Sequence, residues 1–456
     1  MVSIFSGLIF AAAYAPIGLW FLAPISFALL FRRLQKTNSP IFTLFLFGLV
    51  SQGTILHWSG KYVGLLPWLL LTLLQAAFFL PVGIIYKFTQ NIWYTVATFL
   101  LIDQWRANFP FGGFGWSRIA FSQADAPYMQ LISVGGVSGL TAIVLAVSVA
   151  LMRMNLRKSL AVCALLLLPI GNHSSLVTQP FLEVAAIQGN TPSAGLDFNS
   201  RAKEVLNMHI GATEKIDRKI NLIAWPENAS DIDPFTTPGV LEDLQKLSVE
   251  KGAPLIIGTV LRADNRLSNA SILINKNSSE SIYIKQHLTP FGEYMPLRKI
   301  AEFLSPYAKD VIDFTSGSGY VVHVVDGITI GPIICYEIID DSLVRNAARK
   351  SDALLVQTNS ATFAGTSESR QQLNITRIRA AEHNREIVSV STVGISAFID
   401  NNGKVLQESK ENISAVLYGN LHANRKISIA DKLGDLSWAI PAAFFVGMGF
   451  LKRKLV

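Results

Sequence analysis

The sequence is poor in charged residues and in cysteine. Of its 456 residues only 16% are charged, whereas ordinary soluble domains carry about 25%. The shortage is greatest in residues 1–172, which contain twelve charged side chains, ten of them basic, and no glutamate. Because 50% of the chain is hydrophobic, the composition indicates a membrane protein.

The net charge of +7 does not indicate a nucleic-acid-binding protein. Residues 1–172 carry +8 and the basic tail at 452–454 carries +3, so the rest of the chain is slightly acidic. The basic residues therefore flank apolar segments, a pattern that orients a protein in a membrane. We expect no nucleic-acid partner.

Only two cysteines are present, Cys163 in an apolar stretch and Cys335 in the polar part of the chain. Residues in such different environments are not expected to form a disulfide, which leaves one free thiol in the polar part. In an oxidising compartment an unpaired thiol is either buried and inert or kept for chemistry. The seven histidines are scattered and form no H-E-x-x-H pattern, so we expect neither a metal site nor a cofactor.

Apolar runs predict about seven membrane helices in residues 1–172 and one more near the C terminus. A spanning helix needs about 20 apolar residues. A break at 14–18 divides residues 2–31 into two segments, and the other runs lie at 40–56, 65–86, 92–105, 131–152, 159–171 and 434–450.

Basic residues predict the orientation of these helices. Ten lie on one side, against three (Lys61, Arg106 and Arg118) in the opposing short loops, and the richer side is cytoplasmic. We therefore expect a transmembrane domain at 1–172, an extracytoplasmic catalytic domain at 173–430, and a transmembrane helix with a basic cytoplasmic tail at 431–456. We expect this membrane to be the cytoplasmic (inner) membrane.

Within residues 173–430, short β-rich runs alternate with amphipathic helical runs. This order predicts a layered α/β sandwich with catalytic residues at strand ends. The predicted strands are 182–187, 221–225, 255–260, 271–274, 281–284, 328–334, 353–357 and 387–391, and the predicted helices are 198–218, 239–250, 340–349 and 368–384.

Two strand ends carry charged residues suited to catalysis. Glu227 ends the segment I-A-W-P-E, and a carboxylate beside a core can have the raised pKa that suits a general base. Lys285 enters an aromatic loop with two prolines, where a fixed charge can stabilise an oxyanion. Taken alone, each is more often an exposed turn acid or a solvated lysine.

Cys335 follows the apolar segment G-P-I-I, and Asp340 and Asp341 are candidate helix N-caps beyond it. A strand–turn–helix junction exposes a nucleophile and offers backbone N–H groups to a developing oxyanion. A free thiol has a pKa of about 8.5 and needs a neighbouring base. A single cysteine after an apolar strand is more often part of the core, but Glu227, Lys285 and Cys335 together read as base, cation and thiol.

The segments W-P-E, Y-x-K-x-H-L-x-P-F-G-E-Y-x-P and I-C-Y-E resemble those of the bacterial apolipoprotein N-acyltransferases. These are membrane members of the nitrilase (carbon-nitrogen hydrolase) superfamily, and the resemblance covers essentially the whole chain. It implies a polytopic α-helical membrane domain plus an α/β nitrilase-type (αββα) sandwich. It also implies Glu227 as general base, Lys285 as electrostatic partner and Cys335 as nucleophile.

Supporting roles are implied for Glu293, Tyr336 and Glu337. Family members take an acyl chain from a phospholipid as a thioester and pass it to the diacylglyceryl-cysteine amine of an apolipoprotein. The implied partners are a phospholipid acyl donor, a diacylated apolipoprotein acceptor and membrane lipid, with the enzyme acting as a monomer. Because both substrates are lipids, residues 109–116 and 295–307, rich in aromatic and aliphatic side chains, are predicted to form a lipid-access surface and a lid.

Two segments depart from the family pattern. The motif N-D-x-W-F-G reads N-S-A-T-F-A-G at 359–365, and no tryptophan closely follows the Q-G-N at 188–190. We expect these changes to alter acyl preference rather than the chemistry.

Two other functions fit part of the pattern. A membrane-anchored amidase or nitrilase would use the same triad with water attacking the thioester, but one anchor would suffice for it. A transporter or receptor predicts polar residues inside the spans, where only Asp103 stands out.

Overall fold

The computed structural model describes residues 1–61, 64–154, 178–191, 203–263, 266–275, 278–304, 306–309 and 311–454. The chain divides into two compact units. One combines Met1–Asn172 with Ser428–Val456, and the other is His173–Ile427. The second unit is therefore inserted into the sequence of the first.

The first unit is helical in its described parts. The helices are Val2–Ala11, Leu22–Leu34, Pro40–Ile55, Leu65–Ala77, Leu80–Thr89, Ile92–Arg106, Ile132–Arg153, Ile429–Leu433 and Leu436–Lys454. The C-terminal helix packs on Ile92–Arg106, where the Asn91 side chain donates a hydrogen bond to the Gly449 carbonyl at 3.0 Å.

Most residues of the predicted spans are helical where the structure describes them, but the run 65–86 forms two helices, Leu65–Ala77 and Leu80–Thr89. The break at 14–18 lies between the first two helices. Two described stretches, Leu65–Thr89 and Met129–Arg153, are long and apolar enough to cross a membrane. Three further apolar helices are shorter: Val2–Ala11, Pro40–Ile55 and Leu436–Leu451. The run predicted at 159–171, with Cys163, lies outside the described residues.

Asp103 is not the isolated polar residue that the sequence indicated. Its carboxylate pairs with Arg106 at 3.0 Å and with Arg118 at 3.1 Å, and all three side chains are buried. Arg106 also donates hydrogen bonds to Gln75 and Ser117. The polar side chains of this cluster bind one another, so the cluster joins elements of the helical unit.

The second unit contains two six-stranded sheets. Their strands are β1 (Phe181–Gln188), β2 (Leu222–Ala224), β3 (Leu255–Ala263), β4 (Arg266–Asn275), β5 (Ser278–Ile284), β6 (His323–Val325), β7 (Ile328–Ile334), β8 (Ala353–Thr358), β9 (Ile387–Ser391), β10 (Ala397–Ile399), β11 (Val405–Glu408) and β12 (Ala415–His422). The first sheet has the order β12-β1-β2-β3-β4-β5 and the second β11-β10-β9-β8-β7-β6.

Each sheet has three parallel strands at or near its centre. These are β1, β2 and β3 in one sheet and β7, β8 and β9 in the other, and the remaining strands add antiparallel. Strands buried on both faces read as continuous apolar runs, which is why the sequence predicted them well.

Alternate residues of β1 enter different layers of the core. Leu182 and Val184 pack in one cluster with Leu355 and Val388 of the second sheet, so the two sheets face each other. Ile187 belongs to the opposite cluster, which also contains residues of the first sheet's helices. This period of two is the ordinary consequence of strand geometry.

Helices cover the outer faces of both sheets. Glu204–Glu214 and Val240–Lys251 pack on the first sheet, and Asp341–Lys350 and Glu368–His383 contact the second. The resulting order of layers is helix, sheet, sheet, helix, which confirms the predicted α/β sandwich.

All eight predicted strands are present, whereas β6, β10, β11 and β12 were missed. Three of the missed strands have only three or four residues. The sequence of β12 contains Gly419 and Asn420, which are poor strand formers. The predicted helix 198–218 corresponds to the helix Glu204–Glu214, and residues 198–202 lie outside the described residues.

Gly258 allows a close approach between β3 and the turn that carries Glu227. A Cβ at Gly258 would lie 2.3 Å from the Pro226 carbonyl oxygen and 2.6 Å from the Glu227 Cα. The Gly258 N–H donates to that same carbonyl at 3.2 Å. The side chain of any other residue would therefore push the Glu227 backbone away from the sheet.

Replacing Gly258 by Ala should destabilise the unit by about 1–3 kcal/mol, since backbone atoms on a packed strand cannot yield freely. A thermal melt of the full chain in detergent would measure this. Gly319→Ala is the matched control, because a Cβ there meets nothing within 4 Å. Equal melting temperatures for the two variants would contradict the packing argument.

Candidate active site

Three separate chain segments bring Glu227, Lys285 and Cys335 together. Glu227 lies three residues beyond β2, Lys285 directly follows β5, and Cys335 directly follows β7. The Lys285 ammonium nitrogen lies 3.4 Å from Glu227 Oε1, and both groups interact electrostatically with the Cys335 thiol. The base, cation and thiol named from the sequence are thus neighbours.

Glu293 completes the charged group. Its carboxylate lies 2.8 Å from the Lys285 ammonium and accepts a hydrogen bond from the Thr289 backbone N–H at 2.7 Å. One ammonium group therefore serves two carboxylates, those of Glu227 and Glu293. Both the lysine and Glu227 are nearly inaccessible, with 1% and 5% of their surfaces exposed.

Asn269 of β4 holds the two carboxylates in place. Its Nδ2 donates to Glu227 Oε1 at 2.6 Å and to Glu293 Oε1 at 2.9 Å. Its backbone carbonyl accepts the Lys285 N–H at 2.8 Å. Asn269 was not predicted as a site residue, although asparagine is uncommon within a strand.

Electrostatics divides the two carboxylates into different roles. Burial raises the pKa of Glu227, and the Glu293 charge raises it further. Lys285 and Asn269 lower this pKa, but they offset the increase only in part. Burial also acts to raise the pKa of Glu293, but Lys285 and the hydrogen bonds from Asn269 and Thr289 outweigh it and lower that pKa. Glu293 is therefore the permanent counterion, and Glu227 is the carboxylate able to accept a proton.

The thiol and the lysine respond to the same charges. Burial raises the pKa of the Cys335 thiol well above its ordinary value, and Glu227 raises it further, whereas Lys285 lowers it. Burial alone would lower the pKa of Lys285, but Glu293 and Glu227 outweigh that effect and raise it. The resting thiol is consequently neutral beside a lysine that stays charged.

The backbone at Cys335 is strained. Its φ of +49° lies in the left-handed region, which is uncommon for a residue with a side chain and costs of the order of 1–3 kcal/mol. A 3-10 turn, Cys335–Ile339, follows and leads into the helix Asp341–Lys350. The thiol thus stands at a sharp junction, as the sequence predicted.

Two charged residues fix this junction from outside. The Asp340 side chain accepts the backbone N–H groups of Ser342 and Leu343, which makes it the predicted helix cap. Arg379 donates hydrogen bonds to the carbonyls of Ile338 at 2.9 Å and Ile339 at 3.1 Å.

Glu337 is a buried anchor for the loop after Lys285. One carboxylate oxygen accepts the Tyr283 hydroxyl at 2.8 Å and the backbone N–H groups of Gln286 at 2.7 Å and His287 at 3.2 Å. The other oxygen accepts the Ile334 N–H at 2.8 Å. Glu337 therefore ties the lysine segment to the nucleophile strand, and it does not join the charged group around Lys285.

Tyr336 is also buried and lies beside the nucleophile in the chain. Its ring meets that of His287 edge-on, with the centroids 5.2 Å apart. His287 in turn contacts Asp340, with 2.8 Å between Nδ1 and Oδ2. These contacts support the loop around the thiol.

A further pair on the helix Glu368–His383 belongs to the site and was not predicted. The Gln372 side-chain nitrogen lies 3.9 Å from the Cys335 sulfur. Glu368, one helical turn earlier, is buried and adds to the negative potential at the thiol. Neither residue stands in a motif, and their position on a helix predicted to be amphipathic does not by itself indicate a place in the active site.

This arrangement suits nucleophilic acyl chemistry. Glu227 can accept the thiol proton as sulfur attacks a carbonyl, and Lys285 provides positive charge where an oxyanion develops. Within the described ranges, no group of three or more His, Cys, Asp and Glu side chains is placed to hold a metal ion.

Comparison with known proteins supports the same assignment. Residues 183–430 match the carbon-nitrogen hydrolase family model. The chain belongs to the carbon-nitrogen hydrolase family. Residues 6–150 match the apolipoprotein N-acyltransferase N-terminal domain, so the chain has the two-part organisation of the apolipoprotein N-acyltransferases. The C-terminal part accordingly has the nitrilase-type α/β fold.

Individual relatives cover nearly the whole chain. An apolipoprotein N-acyltransferase from Mycolicibacterium smegmatis is 28% identical over 95% of this chain and 82% of its own length. One from Pseudomonas syringae pv. tomato is 29% identical, over 92% of this chain and 90% of its own. Among solved structures, an amidase of the nitrilase superfamily from Nesterenkonia sp. AN1 is 16% identical, covering 53% of this chain and 90% of its own, with a TM-score of 0.41.

The charges around Cys335 predict how its reactivity depends on pH. Because Glu227 raises the thiol pKa and Lys285 lowers it, Glu227→Gln should move the alkylation midpoint to lower pH and Lys285→Met to higher pH. Iodoacetamide labelling in a Cys163→Ser background, followed on the Cys335 peptide by mass spectrometry, would measure both midpoints. Shifts of the opposite signs would show that the three side chains do not interact as described.

Proposed function

We propose that this protein transfers an acyl chain from a membrane phospholipid, through a thioester on Cys335, to the N-terminal diacylglyceryl-cysteine amine of apolipoproteins. The observation that carries the proposal is the neutral thiol beside Glu227 and Lys285 in a chain whose residues 6–150 match an apolipoprotein N-acyltransferase domain. The reaction matures bacterial lipoproteins.

In the first half-reaction the thiol attacks the ester carbonyl of the phospholipid. Glu227 takes the thiol proton as the sulfur–carbon bond forms, and Lys285 stabilises the oxyanion. The carbon–oxygen bond of the ester then breaks, and Glu227 returns the proton to the departing lysophospholipid alcohol. Glu293 remains ionised throughout, so Lys285 stays charged whether or not Glu227 carries a proton.

In the second half-reaction the acceptor amine attacks the thioester carbonyl. A nitrogen–carbon bond forms, the sulfur–carbon bond breaks, and the sulfur regains a proton as the amide leaves. Because the donor product must leave before the acceptor reacts, the kinetics are ping-pong.

The helical unit is proposed to be a polytopic domain of about eight spans in the cytoplasmic membrane. The apolarity of its described helices supports this arrangement, as do the two stretches Leu65–Thr89 and Met129–Arg153. The excess of basic residues on one side would place that side in the cytoplasm and residues 173–430 outside it. An extracytoplasmic site faces the leaflet in which acceptor lipoproteins are anchored.

An apolar surface near Lys285 is a candidate for lipid access. Leu297, Ile300 and Phe303 are 63%, 56% and 88% exposed, although each is a large apolar residue. They lie on the segment that follows the Lys285 loop in the chain. Met295 is buried, so it supports this segment and does not form part of its exposed surface.

The second predicted segment, residues 109–116, needs a similar correction. Phe109 is 53% exposed and Phe111 is 37% exposed, but Trp116 is buried against the ring of Trp58. Only the first half of that loop presents aromatic side chains in the manner of an interfacial anchor.

An amidase or nitrilase with the same triad is the alternative function. It needs water, not an amine, to resolve the thioester, and it gives no role to a large apolar unit of which residues 6–150 match the apolipoprotein N-acyltransferase N-terminal domain. The two functions differ in the fate of the acyl group.

Purified full-length protein in detergent, incubated with phosphatidylethanolamine vesicles, should gain one acyl mass on the Cys335 peptide. A synthetic diacylated lipopeptide added next should remove that mass and become triacylated. Cys335→Ala should abolish both steps, because Cys335 is the thiol that interacts with Glu227 and Lys285, whereas Cys163→Ser should retain them. Release of the acyl group as free fatty acid, with no lipopeptide product, would favour the hydrolase and refute the proposal.

A further inference from the structure

Glu368 is a buried carboxyl in the active site that the triad chemistry does not use. It is the first residue of the helix Glu368–His383 and only 3% exposed. Gln372, one turn later, places its side-chain nitrogen 3.9 Å from the Cys335 sulfur. Residues four apart lie on the same helix face, so Glu368 lies on the face that meets the thiol.

The surroundings of Glu368 are polar but uncharged. Its carboxylate accepts a hydrogen bond from the Ser369 hydroxyl at 3.4 Å and is also stabilised by the nearby Ser360 hydroxyl. The Ser391 hydroxyl lies close by, because a Cβ at Gly394 would meet all three serine oxygens within 2.9 Å. No basic side chain among the described residues forms an ion pair with Glu368. Burying a carboxylate without a cation is costly, so the ionised form of Glu368 would be stabilised by a cation that enters the site.

The charges around the thiol favour the binding of one more cation. Three carboxyl groups, those of Glu227, Glu293 and Glu368, act on the thiol, while Lys285 is the one cation among its principal electrostatic neighbours. In addition, Asn269 Oδ1 is buried and has no hydrogen-bond partner in the described structure, although its Nδ2 bonds Glu227 and Glu293. The site therefore offers unused acceptor oxygens and an excess of negative charge to an N–H cation.

The acceptor is the substrate whose reacting group is itself such a cation. An α-amino group has a pKa of about 7.7–8.0, so most of it is protonated at neutral pH and unable to attack a carbonyl. It must bind as an ammonium ion and lose a proton before the second half-reaction begins.

We propose that Glu368 binds the α-ammonium group of the acceptor and removes the proton that blocks its attack on the Cys335 thioester. This inference rests on the proposed function. The ammonium nitrogen gives one proton to the Glu368 carboxylate, and the free amine then attacks the thioester carbonyl. As the nitrogen–carbon bond forms and the sulfur–carbon bond breaks, Glu227 carries the second proton from nitrogen to sulfur. Glu368 afterwards releases its proton to water.

The acidity of Glu368 suits this step. Burial is the main reason that its pKa is raised to about 7. The nearby Glu411 and Glu227 charges also raise the pKa, whereas Ser360 and Ser369 lower it. A base whose pKa lies near the working pH and near that of its substrate exchanges a proton efficiently in both directions.

The test separates the two half-reactions in the variant Glu368→Gln. Its acylation by phosphatidylethanolamine should be no slower than that of the unaltered protein, because loss of the Glu368 charge lowers the thiol pKa, whereas discharge of the thioester to a diacylated lipopeptide should be about 100-fold slower. Hydroxylamine, an amine nucleophile that is mostly uncharged at neutral pH, should discharge both proteins equally because it does not need the proton removed. Glu408→Gln is the matched control, since Glu408 lies on the surface and pairs with Arg370.

Each other outcome overturns the inference. Lipopeptide transfer at the unaltered rate would show that Glu368 does not handle the amine, and equal losses with lipopeptide and hydroxylamine would assign it a structural role. If Glu368→Gln fails to acylate, Ser369→Ala decides: it should slow lipopeptide transfer alone, and unchanged transfer would refute the assignment. Failure of the proposed function is distinct, because the unaltered protein itself would then form no thioester or no triacylated peptide.

Discussion

The ammonium group of Lys285, shared between Glu227 and Glu293, is the interaction on which the rest of the site depends. Without it two carboxylates would be buried side by side, an arrangement that burial and repulsion together disfavour. With it, Glu293 remains ionised while Glu227 keeps a raised pKa and faces the thiol. One cation thereby keeps Glu293 ionised and leaves Glu227 able to accept a proton, and these are the properties that the proposed mechanism requires.

The fold brings these groups together from strand ends that belong to both sheets. Glu227 and Cys335 follow β2 and β7, one from each sheet, and the two sheets face each other across a common apolar core. Gly258 lets the Glu227 turn lie against β3, and Glu337 binds the loop after Lys285 to the end of β7. The precision of the site therefore comes from backbone contacts and buried anchors as much as from the catalytic side chains.

Motifs made the triad predictable from sequence, since each of its members follows a short apolar strand that reads clearly. Asn269, Gln372 and Glu368 could not be predicted in the same way, because their neighbours in space come from other segments and their residue types are common. Glu337 was assigned a supporting role by resemblance, but its function as an anchor for three backbone N–H groups depends on loop geometry. The eight-span membrane arrangement and its orientation stay predictions.

The account depends most on Glu227 acting as the base for a thiol that is neutral at rest. The most direct measurement is the pre-steady-state rate at which Cys335 becomes acylated by phospholipid in Glu227→Gln, compared with the unaltered protein in the same detergent. A positioned general base contributes about 10²–10⁴-fold, so the variant should acylate at least about 100-fold more slowly while remaining folded. Acylation of the variant at the unaltered rate would contradict the account.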